Sequence, residues 1–307
     1  MVHNLVQEQM MYAVYFAPRG KKRLYNLGHQ LAQRHLNAAD NLIGFVGDAG
    51  AGKSQLIRGM FPGLELTNDD EGVNIRPVPL LDDMDHGFFS AHTYHIDIRF
   101  ERAFTQMHVI RDAVLRALAM DKRVIIEHFD LLYPSLGMNA QILIGIGEEV
   151  FVTRPTIFGP LPDRIADAVL KSINYRKMAH TAEDITCKIL EDEYDMAHTQ
   201  VHGDIKHGFL LEFDEKPDID IQELEAKVKS YIDMGIDIEY IDDSHIKIGD
   251  SGHFHCTGPR IHVTNTKDII NFRFTKDFVY DPMQEVFVLI GLVGNKEDHW
   301  WSHRYTD

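Results

Sequence analysis

Gly47-Asp48-Ala49-Gly50-Ala51-Gly52-Lys53-Ser54 reads GDAGAGKS, a complete G-x-x-x-x-G-K-[ST] pattern. The apolar run Leu42-Ile43-Gly44-Phe45-Val46 precedes it, and a helix-compatible Gln55-Leu56-Ile57-Arg58 follows. That setting is the one the motif needs. A buried strand delivers the chain to a tight glycine turn, whose backbone N–H groups can wrap phosphates before the positive end of the next helix takes over. Gly47, Asp48, Ala49, Gly50, Ala51, Gly52, Lys53, Ser54 and Gln55 are therefore the candidate nucleotide-binding residues. Lys53 is expected to contact the terminal phosphates of ATP or GTP, and the Ser54 hydroxyl to ligate Mg2+.

Working outward, strand and helix patterns alternate through the first half. Tyr12 to Phe16 alternates as a short strand, and Arg23 to Leu36 carries apolar residues at helical spacing. After the glycine turn, Gly63 to Thr67 reads as a strand ending in Asn68-Asp69-Asp70, and Tyr94 to Phe100 as another. Ala103 to Met120 is the clearest amphipathic helix. It feeds Arg123-Val124-Ile125-Ile126-Glu127, a β-branched run suited to a buried parallel strand. Val150 to Val152 is a further strand, and Pro162 to Tyr175 a helix. The expected architecture is α/β, a doubly wound parallel sheet with its ligands at the carboxyl ends of the strands, where Gly47, Asp69 and Glu127 fall.

Composition narrows the class. Lys+Arg total 31 against 47 Asp+Glu, and a net charge of -16 argues against a broad, sequence-independent grip on nucleic acid, DNA included. No stretch approaches the ~18 apolar residues of a membrane span, and the first residues lack the form of a signal peptide. Two cysteines, Cys187 and Cys256, make no disulfide framework, so a reducing cytoplasm is the expected compartment.

The order GDAGAGKS, LELTNDD, RVIIEHFDLLYP resembles the uridine kinase and phosphoribulokinase group of phosphate-loop kinases. The resemblance implies that Asp69 or Asp70 accepts the proton of an attacking hydroxyl, and that Glu127 helps to hold metal and substrate. Lys53, Asp69, Asp70 and Glu127 are then the catalytic candidates. His128 stands where that family has glycine, and Glu71-Gly72 where it has aromatics. Arg154 and Arg164 have surface or salt-bridge roles as their simplest reading, as do His92, His95 and Asp97 as polar tips of a strand. Asp82, Asp83 and Asp85 read as a solvated loop.

From His180 the pattern changes. His180 to Tyr194 is helical, Val201 to Asp220 reads as a hairpin, and Ile221 to Gly235 as an amphipathic helix opening beside Asp220. Ile236 to Tyr240 alternates as a strand. His180-Thr181-Ala182, Gly203 with Gly208-Phe209 and Phe213-Asp214, and Cys256-Thr257-Gly258-Pro259 with Thr264 resemble the second additional, or editing, domain of threonyl- and alanyl-tRNA synthetases. That resemblance implies an α+β module and a cluster of four side chains that holds a metal, zinc in particular, or positions a water. His180 and Cys256 match two of the four positions, whereas Asp184 and Arg260 occupy the others. Aspartate can ligate zinc and a permanently charged arginine cannot, so an Asp184–Arg260 ion pair is expected in place of the metal. His253, His255 and His262 are alternative donors nearby, although His253 and His255 should share a strand face away from Cys256. Cys187 reads as a core residue.

Three parts follow: 1–175, kinase-like; 176–285, editing-domain-like; and 286–307, a C-terminal strand and tail in which Trp300, Trp301, His303 and Tyr305 form a docking segment. The favoured function is transfer of a phosphoryl group from ATP to a small hydroxylated acceptor such as a nucleoside. The alternatives are an aminoacyl-tRNA or amino-acid ester hydrolase with a regulatory nucleotide domain, and a nucleotide-switched binding protein. A tRNA partner and a homo-oligomer stay open.

Overall fold

The computed structural model describes residues 12–67, 78–196 and 201–295. Two compact units divide the chain between Lys171 and Ser172. The division falls inside a helix, four residues before the boundary expected at Tyr175.

The first unit opens with β1 (Ala13–Phe16), α1 (Lys21–His35), β2 (Leu42–Gly47) and α2 (Lys53–Met60). Then come α3 (Pro79–His86), β3 (Thr93–Asp97), α4 (Ile98–Glu101), α5 (Met107–Ala119) and β4 (Arg123–Glu127). It continues with α6 (Phe129–Leu136), β5 (Ile142–Ile146), β6 (Glu149–Thr153) and the start of α7 (Pro162–Tyr194). It is a mixed α/β unit around a mixed six-stranded sheet in the order β1-β6-β5-β2-β4-β3. β3, β4, β2 and β5 are parallel, and β6 runs antiparallel to both β5 and β1. All six residues of β2 and all five of β5 are buried, as central strands covered on both faces must be.

Several expected elements differ. Gly63 to Thr67 forms no strand; Leu66 and Thr67 are buried, and Thr67 is tied by side-chain hydrogen bonds rather than by a ladder. The strand expected over Tyr94 to Phe100 stops at Asp97, because the Asp97 carboxylate accepts the Phe100 N–H and caps α4. The long amphipathic helix starts at Met107, not Ala103. Asp82, Asp83 and Asp85 lie on α3, with Asp83 accepting hydrogen bonds from Tyr94 Oη and Ser90. Arg154 has the salt-bridge role: its guanidinium holds both oxygens of Asp40 at 2.7 Å.

The second unit has β7 (Val201–Ile205), β8 (Gly208–Phe213), α8 (Ile221–Met234), β9 (Ile238–Asp242), β10 (His245–Ile248) and β11 (His253–His255). β12 (Arg273–Phe274), β13 (Val279–Asp281) and β14 (Val286–Leu292) complete it. β7 and β8 are the expected hairpin, and Asp220 caps α8 by accepting the N–H groups of Gln222 and Glu223. β14 is no separate C-terminal piece: it lies inside the sheet β12-β14-β8-β7. Its apolar run VFVLIGL needs a partner on each side, and β8 and β12 supply them. A second sheet, β11-β10-β9, carries the histidine-rich stretch. The helices expected at 162–175 and 180–194 are one continuous helix, α7. The tail from residue 296, with Trp300, Trp301, His303 and Tyr305, lies outside the described residues.

Candidate functional site

In the first unit, β2 ends at Gly47 and the chain turns sharply before α2. Gly47, Gly50 and Gly52 have φ of 151°, 75° and 105°, the region that favours glycine. A Cβ on Gly47 would sit 2.6 Å from the Ile146 carbonyl oxygen, and one on Gly52 would sit 2.5 Å from Leu24. Neither position admits a larger residue without moving backbone or core. The Asp48 carboxylate accepts the Ala49 N–H at 2.8 Å, which fixes the first half of the turn. Lys53 opens α2 with its side chain folded back over the loop, Nζ donating to the carbonyls of Asp48 (2.9 Å) and Gly47 (3.3 Å).

Glu127, the last residue of β4, meets both loop side chains. Its Oε1 accepts the Ser54 hydroxyl at 3.2 Å, and its Oε2 lies 3.8 Å from Lys53 Nζ. Glu127 is only 4% exposed, and an unpaired buried charge would cost several kcal/mol. Burial pulls its pKa up, but a hydrogen bond from His95 and the charge of Lys53 outweigh that and hold it down at about 2. His95 is 3% exposed, not the solvent-facing strand tip that alternation implies. Asp97 stands beside Glu127 in the β3–β4 register, and burial followed by the charge of Glu127 raises its pKa. His128, next in the chain, has φ 56° and ψ 47°, a left-handed conformation that a non-glycine residue seldom adopts. Asp69 and Asp70 lie outside the described residues.

The second unit holds a separate cluster. His180 and Asp184, one turn apart on α7, meet Cys256 after β11 and His262 after the following turn; all four are buried and their donor atoms lie within 4.8 Å of one another. Cys256 Sγ is 3.2 Å from His180 Nε2 and 3.7 Å from His262 Nε2, while Asp184 Oδ2 is 2.8 Å from His262 Nε2 and 3.8 Å from His180 Nε2. A tetrahedral ion with bonds near 2.0–2.3 Å sets donor separations of roughly 3.3–3.6 Å, which these four values straddle.

No protein-family model matches this chain, and no curated protein matches its sequence. The chemistry of each site thus rests on its own geometry.

The hydrogen bonds around the cluster turn its donor atoms toward one another. His180 Nδ1 lies 3.3 Å from the Ile261 carbonyl and His262 Nδ1 lies 3.1 Å from the Pro259 carbonyl. A carbonyl only accepts, so each Nδ1 carries a hydrogen and each Nε2 faces the cluster. At 2.8 Å, His262 Nε2 and the Asp184 carboxylate have either a proton or a metal ion between them. The Gly258 N–H donates to Cys256 Sγ at 3.3 Å, a contact that favours thiolate. Two imidazoles, a carboxylate and a thiolate suit zinc or a similar transition ion.

The expected Asp184–Arg260 ion pair does not form. Arg260 lies over the Tyr240 ring, 4.8 Å from its centroid, and donates to Tyr240 Oη at 3.2 Å. The turn at Cys256 to His262 carries the guanidinium to the surface, where it keeps its hydration, and brings His262 inward two residues later. Of the three alternative donors His253, His255 and His262, it is His262 that joins the cluster; His253 and His255 are exposed, as strand alternation requires. Cys187 belongs to the second unit's apolar core and also meets His202 Nδ1 at 3.9 Å.

Proposed function

We propose that the first unit is a phosphate-loop nucleotide-binding domain of doubly wound type that transfers a phosphoryl group from ATP, or GTP, to a small hydroxylated acceptor. The observation that carries this reading is the convergence of Lys53, Ser54 and Glu127 at the glycine turn that ends a central parallel strand. Ser54 Oγ and the Glu127 carboxylate are hard oxygen donors 3.2 Å apart and fit Mg2+, which takes oxygen ligands. When bound, Mg-nucleotide would supply the phosphoryl group and the divalent charge that offsets its anionic oxygens. Lys53 holds positive charge over the loop, and the backbone of residues 47–54 cradles phosphate. The proton of the attacking hydroxyl passes to a carboxylate, and Asp97 joins Asp69 and Asp70 as a candidate. The test is nucleotide turnover with a panel of nucleosides and small alcohols in wild type and in Asp69→Asn, Asp70→Asn and Asp97→Asn. One variant should lose turnover by about 10²- to 10⁴-fold while still binding nucleotide. Undiminished turnover in all three would remove a carboxylate base from the reading.

The four-residue cluster supports a second element of the proposal: the second unit keeps an editing-domain-like fold around a transition metal. Four protein donors close a tetrahedron and leave no open position for water, which is how structural rather than hydrolytic zinc sites are built. That weighs against the ester-hydrolase reading. Rapid deacylation of mischarged threonyl- or alanyl-tRNA by the purified protein would reverse this preference.

A further inference from the structure

His95 is buried, carries no role in the reading above, and touches both a backbone donor and the site carboxylate. Its Nδ1 lies 3.1 Å from the Thr67 backbone nitrogen, whose hydrogen it must accept. An accepting Nδ1 in a neutral ring places the hydrogen on Nε2, and Nε2 lies 3.2 Å from Glu127 Oε1. The same Oε1 accepts from Ser54 Oγ, and Oε2 faces Lys53. Among the described residues, this carboxylate thus meets Ser54, Lys53 and His95, of which His95 alone comes from outside the glycine loop. The Thr67 hydroxyl closes the far side of the ring through contacts to His95 Nδ1 (3.2 Å) and the His95 carbonyl (3.3 Å).

We propose that His95 is a positioning residue for phosphoryl transfer: its Nε2–H fixes the Glu127 carboxylate in the orientation that serves Ser54 and the metal. The role rests on the phosphoryl-transfer reading. Because His95 touches neither Lys53 nor the loop backbone, it acts on metal use and turnover rather than on nucleotide capture. Outer partners of metal-binding carboxylates contribute about 10- to 100-fold to metal affinity or activity.

Two substitutions separate donor from scaffold. His95→Asn keeps a short polar group facing Thr67 but cannot reach Glu127, whereas His95→Gln extends an amide N–H toward it. In the full-length chain, His95→Asn is expected to raise the Mg2+ concentration for half-maximal turnover by about tenfold and to lower kcat by a similar factor, with KM for nucleotide within about threefold of wild type. His95→Gln is expected to recover most of both losses. Nitrogen-15 NMR of the wild type should show His95 with its hydrogen on Nε2. The Nδ1–H tautomer, a wild-type Mg2+ requirement in His95→Asn, or equal impairment in both variants would overturn the proposal. Absence of any nucleotide turnover or Mg-nucleotide binding in wild type is a different failure, which removes the phosphoryl-transfer reading itself.

Discussion

At the scale of single residues, the two sites differ in what the sequence shows. Lys53 and Ser54 are legible because the loop motif fixes their spacing from Gly47 through the local backbone alone. His262 is legible only as one of three neighbouring donors with His253 and His255, since its approach to Asp184 depends on the turn over residues 256–262. Removing that ligand should therefore matter and removing Arg260 should not. Elemental analysis of protein purified without chelator is expected to find about one transition-metal ion per chain in wild type and in Arg260→Ala, and much less in His262→Ala. Equal metal content in all three would contradict the cluster. His128 supplies a prediction on pH. Burial, then the charge of Lys53, lowers its pKa from 6.5 to about 4, so the native ring is neutral across that window while the unfolded chain takes up a proton. Its contribution to stability is present above pH 6.5 and lost as pH falls toward 4. His128→Asn does not titrate and tolerates the left-handed backbone. Urea unfolding at pH 7 and pH 5 should show a larger loss on acidification in wild type than in this variant; equal losses would contradict the shift.

Secondary elements were legible where one physical signal dominates. β4 matches its expected limits because Arg123 to Glu127 is β-branched and central, and α8 matches because Asp220 caps an amphipathic run. Where tertiary partners decide, the sequence misleads: the Leu64 to Thr67 alternation finds no ladder, and Asp97 converts the end of an apparent strand into a helix cap. β5 went unseen, because a short buried apolar run carries no periodicity of its own. The crossing of α1 and α2 likewise depends on glycines that no motif marks. A Cβ on Gly59 would fall 2.0 Å from the Tyr25 carbonyl oxygen, and one on Gly28 would fall 2.2 Å from that of Leu56. Gly59→Ala should force these helices apart and destabilise the first unit by about 1–3 kcal/mol. Since α2 begins at Lys53, nucleotide affinity should weaken with it. A melting temperature within a degree of wild type would show that the helices are not in this contact.

At the scale of the whole molecule, the chain divides into two compact units between Lys171 and Ser172, whereas the change of pattern in the sequence placed a boundary at Tyr175 and a further one at 285. α7 is continuous where the sequence reading placed two helices, at 162–175 and 180–194, since no helix-breaking residue stands between Tyr175 and His180. Among the described residues no helix is long and apolar enough to cross a membrane. Each unit carries its own cluster of charged and polar side chains: hard oxygen and ammonium groups around the glycine turn of the first, softer nitrogen and sulfur donors in the second. Whether the glycine turn of the first unit holds nucleotide is decided by isothermal titration of Mg-ATP and Mg-GTP into the protein and into Lys53→Ala. Saturable binding of at least one nucleotide by wild type, weakened at least about 100-fold in a Lys53→Ala variant of unchanged melting temperature, is the predicted result. Equal affinity of the two proteins, or no nucleotide binding by wild type, would contradict it.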